Sequence, residues 1–348
     1  MTTKNLAILA AVAAVLGGAA YVTSSGRKMK TPSLNGRKVL PAFTVADVAR
    51  LEIGGEKPLT LSAGASGWTV DTLHGYPADV EKIRENLLKL DELKVGQVAS
   101  GRKIEKPATV DVKDASGKTL ASLKMGGTHQ SRPKGQMAQF GGGGYPDGRY
   151  VLFGDTPVLV KDSLDAFDGD PKRWVDARIA SVPSADVVAV RYVKQGASVE
   201  LSRTNSTWTL KGLGPKEELD TSKTYSLDSA LSYLDFASVA DPKTPEAEFG
   251  FATGSVYSVT LKDGIRYTAE VGAAKGSDRY FRVAAAFSPV GTNATVNAEC
   301  EKKVAEFNAK SGKWIYTISS YSADSMSKTR KDLVKAKEEK ADKKQSSN

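Results

Sequence analysis

The chain says the same thing twice. Ala46-Asp47-Val48 leads into the alternating run Leu51-Glu52-Ile53, then Leu59-Thr60-Leu61 and Gly67-Trp68-Thr69-Val70. Far downstream, Ala185-Asp186-Val187 leads into Val190-Arg191-Tyr192, Val199-Glu200-Leu201 and Thr207-Trp208-Thr209-Leu210. The Asp-to-Trp spacing is 21 residues in the first copy and 22 in the second. Self-similarity on this scale constrains the fold more than any local motif, because each copy has to be one folding unit. The period-2 alternation within each run reads as strands with one buried face.

Each copy continues in the same order. In the first, Tyr76-Pro77 follows the Trp strand, with Pro at the first helical position, and Val80, Ile83, Leu87 and Leu90 recur at helical spacing. In the second, Leu227, Ala230, Leu231 and Leu234 recur at three- and four-residue intervals, with Thr221, Ser222 or Ser226 available as caps. Both copies then return through a hairpin: Val110 and Val112 to Asp114-Ala115-Ser116-Gly117, and Val256, Val259 and Leu261 to Lys262-Asp263-Gly264. Gly126 and Gly272 close these hairpins, and Arg149-Tyr150-Val151 and Arg279-Tyr280-Phe281 follow. The pattern predicts an α+β fold of two tandem copies, each an antiparallel sheet with one packed helix, after an N-terminal membrane anchor. The boundaries read as 1–26 for the anchor or signal segment, 27–41 for a linker, 42–176 and 177–326 for the two repeats, and 327–348 for a charged tail.

The copies differ at one place. Gly126 and Arg149 are 23 positions apart, whereas Gly272 and Arg279 are only 7 apart, so the first copy carries about 16 extra residues. The insertion ends in four consecutive glycines, Gly141 to Gly144. Long loops on rigid scaffolds often carry function, and its Arg132, Lys134 and Phe140, with Tyr145 and Arg149 behind it, are the candidate binding residues. A plain surface loop is the preferred reading of the insertion, with a binding loop as the alternative. It lacks the Gly-Lys-Ser/Thr ending of a phosphate-cradling loop.

Before Gly18-Ala19-Ala20 and through to Val22, the 17 residues from Leu6 are uncharged and mostly apolar. As a helix they reach about 25 Å, between a signal-peptide core and a span of the hydrocarbon layer. An uncleaved single-span anchor is the preferred reading, with cleavage after the small residues as the alternative. The basic residues Arg27, Lys28, Lys30, Arg37 and Lys38 follow the apolar run, and a strict positive-inside count would leave the globular part in the cytoplasm. The basic head at Lys4 is the ordinary export signal, so the globular part is expected on the periplasmic side of a bacterial inner membrane.

The net charge of +9 does not point to nucleic acid. Much of the excess sits between Arg27 and Lys38 and in Lys328 to Lys344, where eight basic residues face four acidic ones, and no reading motif accompanies it. The second stretch reads as a solvated helix fraying into a tail. One cysteine, Cys300, and two histidines, His74 and His129, leave no disulfide and no thiolate metal cluster, and no cofactor is implied. Ser25-Gly26-Arg27-Lys28 and Ser100-Gly101-Arg102-Lys103 match only the bare Ser-x-x-Lys pattern. No catalytic constellation emerges, and the four tryptophans read as packing rather than sugar platforms.

Taken in order, Gly67-Trp68-Thr69-Val70, Lys124-Met125-Gly126 before Arg149-Tyr150-Val151, the joint Lys172-Arg173-Trp174-Val175-Asp176, and Thr207-Trp208-Thr209-Leu210 resemble the bacterial domain-of-unknown-function family numbered 4340. The resemblance spans roughly residues 40 to 325. Its members are membrane-anchored proteins often encoded beside gliding-type ABC exporter components. The resemblance implies an extracytoplasmic, non-enzymatic component of a transport or envelope assembly and transfers no catalytic residues. The long Gly-rich insertion and the charged end depart from the family's pattern. The function expected is an accessory or scaffold subunit of an ABC-exporter-like or envelope complex, with other envelope subunits as partners. The alternative is an envelope hydrolase or carbohydrate-binding module, and a third reading is a solute-binding protein.

Overall fold

The computed structural model describes residues 33–131, 144–224 and 226–337. The expected anchor at Leu6 to Val22 lies outside them. Among the described residues no helix is long and apolar enough to cross a membrane. The chain is mostly antiparallel sheet with few helices, an α+β fold rich in β structure. It divides into two compact units: one includes Lys89–Ala108 and Ala121–Leu164, the other Thr44–Leu88, Thr109–Leu120 and the chain from Asp165 on. The second unit therefore draws on both sequence copies.

The first copy supplies β1 (Arg50–Ile53), β2 (Leu59–Gly64), β3 (Gly67–Val70), β4 (Tyr76–Pro77), β5 (Gln97–Val98), β6 (Ala108–Lys113), β7 (Thr119–Gln130), β8 (Pro146–Phe153) and β9 (Thr156–Val160). In the first unit the strand order is β7-β8-β9-β5, and in the second it is β4-β3-β2-β1-β6, with antiparallel pairing throughout. Alternation places Leu51, Ile53, Leu59, Leu61, Val110 and Val112 in the core, while Glu52, Thr60 and Asp111 stay partly exposed on the other face. The helix Val80–Asp91 buries Ile83, Leu87 and Leu90. Pro77 is not its first residue but sits in β4 opposite Thr69. The helix opens three residues later because the Asp79 carboxylate accepts the N–H groups of Glu81 and Lys82 at 3.1 and 3.3 Å.

The second copy supplies β10 (Arg178–Ala180), β11 (Val187–Lys194), β12 (Ala197–Thr204), β13 (Thr207–Leu210), β14 (Glu217–Leu219), β15 (Leu234–Asp235), β16 (Ser238–Val239), β17 (Ser255–Leu261), β18 (Ile265–Lys275), β19 (Asp278–Phe287), β20 (Tyr316–Ser319) and β21 (Val334–Ala336). Eight of these form one sheet in the order β13-β12-β11-β17-β18-β19-β20-β16. Val190, Tyr192, Val199, Leu201, Tyr257, Val259, Val271 and Phe281 fill its buried face.

The duplication holds down to strand register. In the first copy Met125 pairs with Val151, the ladder slips, and Thr128 pairs with Arg149. In the second Val271 pairs with Phe281, the ladder slips, and Ala274 pairs with Arg279. Each copy thus places a bulge at its shared glycine, Gly126 or Gly272. The hairpin turns also correspond, with Gly117 at φ +85° and Gly264 at φ +90°, where a side chain would be strained. In the first copy β7 runs on to Gln130, which pairs with Pro146, so the early part of the insertion lengthens the ribbon.

Two further expectations fail. Residues 227 to 234 do not form a helix, although Leu227, Leu231 and Leu234 are buried. Their serines turn on the backbone instead: the Ser229 and Ser232 hydroxyls donate to the carbonyls of Ser226 and Ser229, and the Tyr257 hydroxyl takes the Leu227 carbonyl at 2.6 Å. Short polar side chains that bond the backbone locally compete with helix. The long helix of the second copy is Ala294–Phe307, after the hairpin, capped by the Asn293 side chain on the N–H groups of Thr295 and Val296. At its far end the Asn308 amide bonds both the N–H and the carbonyl of Ala285, tying the helix to β19.

The stretch from Lys328 is not a solvated helix in its described part. Leu333 is fully buried, and Val334–Ala336 pairs with β14. The Asp332 carboxylate accepts both the N–H and the hydroxyl of Thr329 at 2.7 Å, which closes a single tight turn before the strand. Cys300 is almost fully buried, at 2% exposed.

Candidate functional site

Of the residues singled out in the insertion, Arg132, Lys134 and Phe140 lie outside the described residues. Tyr145 is exposed, and its carbonyl accepts the Ser131 N–H and hydroxyl. Arg149 is buried, and its guanidinium donates to the carbonyls of Gly126, Ser163 and Leu164 at 3.0, 3.1 and 3.1 Å. Three carbonyls around one planar fork hold the end of β9's following loop against the bulge. Lysine has one ammonium on a flexible stem and does not reproduce that fork. Arg149→Lys is therefore expected to lower the unfolding free energy by about 2 kcal/mol in a urea titration, and an unchanged midpoint would show that the carbonyls need no guanidinium.

Beside Arg149, the His129 ring nitrogen Nδ1 meets the Asp147 carboxylate, and the ring packs edge-on to Tyr150 at 5.7 Å. The Arg102 guanidinium of the Ser-x-x-Lys stretch lies 3.9 Å over the other aromatic partner in this group, Tyr150 itself. Among the described residues no three His, Cys, Asp or Glu side chains gather in a way that could hold a metal ion. Trp174 is fully buried, and Trp68, Trp208 and Trp314 are half-buried.

A concavity of about 590 Å³ lies on the open face of the second sheet. It follows from strand register. Across the sheet, Glu200 on β12 stands beside Arg191 on β11, Arg191 beside Ser258 on β17, and Ser258 beside Thr268 on β18. The next row runs Thr209, Ser202, Ala189, Thr260, Arg266. Ala189 in the middle of its row leaves a low floor, while Arg191, Lys211 and Arg266 stand at greater reach around it. The floor is hydroxylic: Ser202 and Thr209 share a hydrogen bond of 3.1 Å, and the Ser258 hydroxyl donates to that of Thr268 at 3.3 Å.

The charge is unbalanced. Glu200 is the single carboxylate, with Lys211 at 3.0 Å and Arg191 at 3.4 Å. The Lys211 hydrogen bond, with the Arg191 charge behind it, holds Glu200 below the usual carboxylate range. Arg266 reaches only the Thr260 hydroxyl, at 3.4 Å, and among the described residues it has no carboxylate within ion-pair distance. Three cations against one anion leave a basic trough. Among the described residues no aromatic side chain lines it.

The equivalent face of the first copy, on β2, β1 and β6, has no excess of positive charge. Glu52 stands where the second copy has Arg191, and it bonds Lys113 and Arg50 at 2.5 and 2.7 Å. The hydrogen bond from Lys113 comes first among the influences that hold Glu52 below its ordinary range. With Asp111 on the same face and Asp71, the counterpart of Lys211, bonded by the Ser62 hydroxyl beside Arg50, two cations meet three carboxylates there. Sequence reasoning did not find the basic trough. The signal available was the exchange of Glu52 for Arg191 at one repeat position, but the register that gathers residues 191, 200, 211 and 266 is a property of the fold.

No curated protein and no solved structure shows a significant match to the chain. The family model described as Domain of unknown function (DUF4340) matches residues 68–254, which takes in the Trp68 and Trp208 strands, the Arg149 hairpin, the joint at Trp174 and the strands β11 and β12 of the basic trough. That match covers more than half of the chain, which therefore belongs to the DUF4340 family.

Proposed function

We propose that the protein is a non-catalytic accessory or scaffold subunit of an ABC-exporter-like or envelope complex, held on the periplasmic side of a bacterial inner membrane by its N-terminal segment. The observation that supports this reading is the nature of the basic trough. It is an open sheet face, and its one carboxylate is engaged by two cations rather than converging with a second acid. Open, polar, charged sheet surfaces suit a macromolecular partner better than a small substrate, which is usually enclosed in a mostly apolar pocket. The hydrolase or carbohydrate-binding alternative draws nothing from this face, which offers no ring for a sugar to stack on.

Crosslinking in intact cells, followed by affinity purification of the tagged full-length protein, tests the reading. Recovery of an ABC permease or other envelope subunits is the expected result. Recovery of monomer alone, together with retention on glycan resin, would overturn it. A reporter fused after Asn348 tests the orientation separately, and activity only on the cytoplasmic side would refute the periplasmic placement.

A further inference from the structure

We infer that the basic trough on β12, β11, β17 and β18 binds an acidic, extended peptide segment of a partner protein. The inference deepens the accessory-subunit reading and rests on it. Charge complementarity names the ligand's sign: Arg191, Lys211 and Arg266 outnumber Glu200, and among the described residues Arg266 has no carboxylate within ion-pair distance. Chemistry narrows the class. Two guanidinium forks suit carboxylates, which they can hold through paired hydrogen bonds. The hydroxyl floor of Ser202, Ser258, Thr260 and Thr268 offers both donors and acceptors to a peptide backbone. A glycan would call for aromatic platforms, and the trough has none.

Spacing gives the ligand's pattern. Arg191 on β11 and Arg266 on β18 are two strand intervals and one row apart, about 12 Å at roughly 4.8 Å per interval and about 7 Å along the strand. Side chains on one face of an extended chain recur every second residue, so acidic side chains four positions apart in the partner, about 13 Å, would meet both arginines. The first copy serves as an internal control. The corresponding face on β2, β1 and β6 carries no positive excess, because Glu52 stands in place of Arg191 and Asp71 in place of Lys211, and Glu52 engages both Arg50 and Lys113. The basic character therefore belongs to one copy and is not a by-product of the repeat's architecture.

The test uses the full-length protein and a fluorescein-labelled peptide of alternating Glu and Ser, read by anisotropy. Arg191→Glu with Arg266→Glu is expected to weaken binding by at least about tenfold, and the Gln versions by several-fold, since charge reversal adds repulsion to loss. Lys302→Glu with Lys303→Glu, an equal charge change on the exposed face of the helix Ala294–Phe307, is expected to change it by less than about twofold. Binding should also fall steeply between about 0.05 and about 0.5 M NaCl. Equal weakening by both charge-reversed pairs, no binding at all, or tighter binding of polygalacturonate or phosphatidylglycerol vesicles than of the peptide would each overturn the inference. Thermal melts confirm that the surface variants fold.

Repeating the crosslinking with the Arg191→Glu, Arg266→Glu protein separates the two proposals. Envelope subunits recovered equally well by both proteins would sink the trough and leave the accessory role standing. Peptide binding as expected, with no subunit recovered by the native protein, would do the reverse.

Discussion

Trp174→Ala is expected to lower the unfolding free energy by about 4 kcal/mol, the range observed when a fully enclosed aromatic ring is removed. Trp174 is fully buried, its indole N–H donates to the Ala166 carbonyl at 3.0 Å, and its ring meets Phe167 edge-on at 5.4 Å. The backbone around it is equally committed. Asp170 caps the turn Pro171–Trp174, the Asp79 N–H donates to the Trp174 carbonyl at 2.8 Å, and the Lys82 ammonium reaches the Val175 carbonyl at 2.6 Å. Beside it, burial pushes the Asp176 carboxyl upward, but the Lys310 ammonium and the Arg178 N–H outweigh it and leave the group below its usual range. Trp174→Phe keeps most of the volume and loses the hydrogen bond, so about 1.5 kcal/mol is expected for it. Chemical unfolding of both variants is the measurement. A loss below about 1.5 kcal/mol for the Ala variant would mean that the joint collapses around the cavity and that Trp174 is not the anchor of this region.

The second large effect belongs to Gly272→Ala, expected to cost about 3 kcal/mol, while its repeat partner Gly126→Ala costs less than about 1 kcal/mol. A Cβ on Gly272 would lie 2.0 Å from the Phe249 carbonyl oxygen, a backbone atom that cannot rotate away. The same atom on Gly126 would meet only the Ile104 side chain, at 3.1 Å, which can shift by a few tenths of an ångström. Two glycines at the same bulge therefore exist for different reasons, close backbone approach in one copy and local slack in the other. Equal losses for the two variants would refute this and point to the bulge conformation itself as the common cause.

The strands were legible because their signals are local. Period-2 alternation in Val256 to Leu261 and the Asp263-Gly264 turn need no distant residue to be read, and the shared glycines and Arg-Tyr pairs fell into matching register. The helix expected at Leu227 to Leu234 failed because apolar spacing cannot reveal that Ser229 and Ser232 will bond the backbone and that Tyr257 will claim a carbonyl. The end of the chain misled through its charge. Among so many lysines, Leu333 and Val334 did not read as a buried residue followed by a strand, and the partner strand Glu217–Leu219 is more than a hundred positions away. The basic trough was invisible for a similar reason. Its cations come from strands separated by as many as 75 residues, and their meeting depends on which strand inserts between which.

Tyr76 of the first copy packs edge-on to Phe236 at 5.1 Å and leans on Trp314 at 4.9 Å, while Phe236 stacks on Tyr316 at 5.5 Å, all three from the second copy. A gene duplication ordinarily leaves halves that can be parted. Here the halves have traded rings, so a fragment ending at Asp176 would carry an orphaned tyrosine and its complement would carry a raw aromatic surface. Cutting the chain between the two copies would therefore open this aromatic cluster on both sides of the cut.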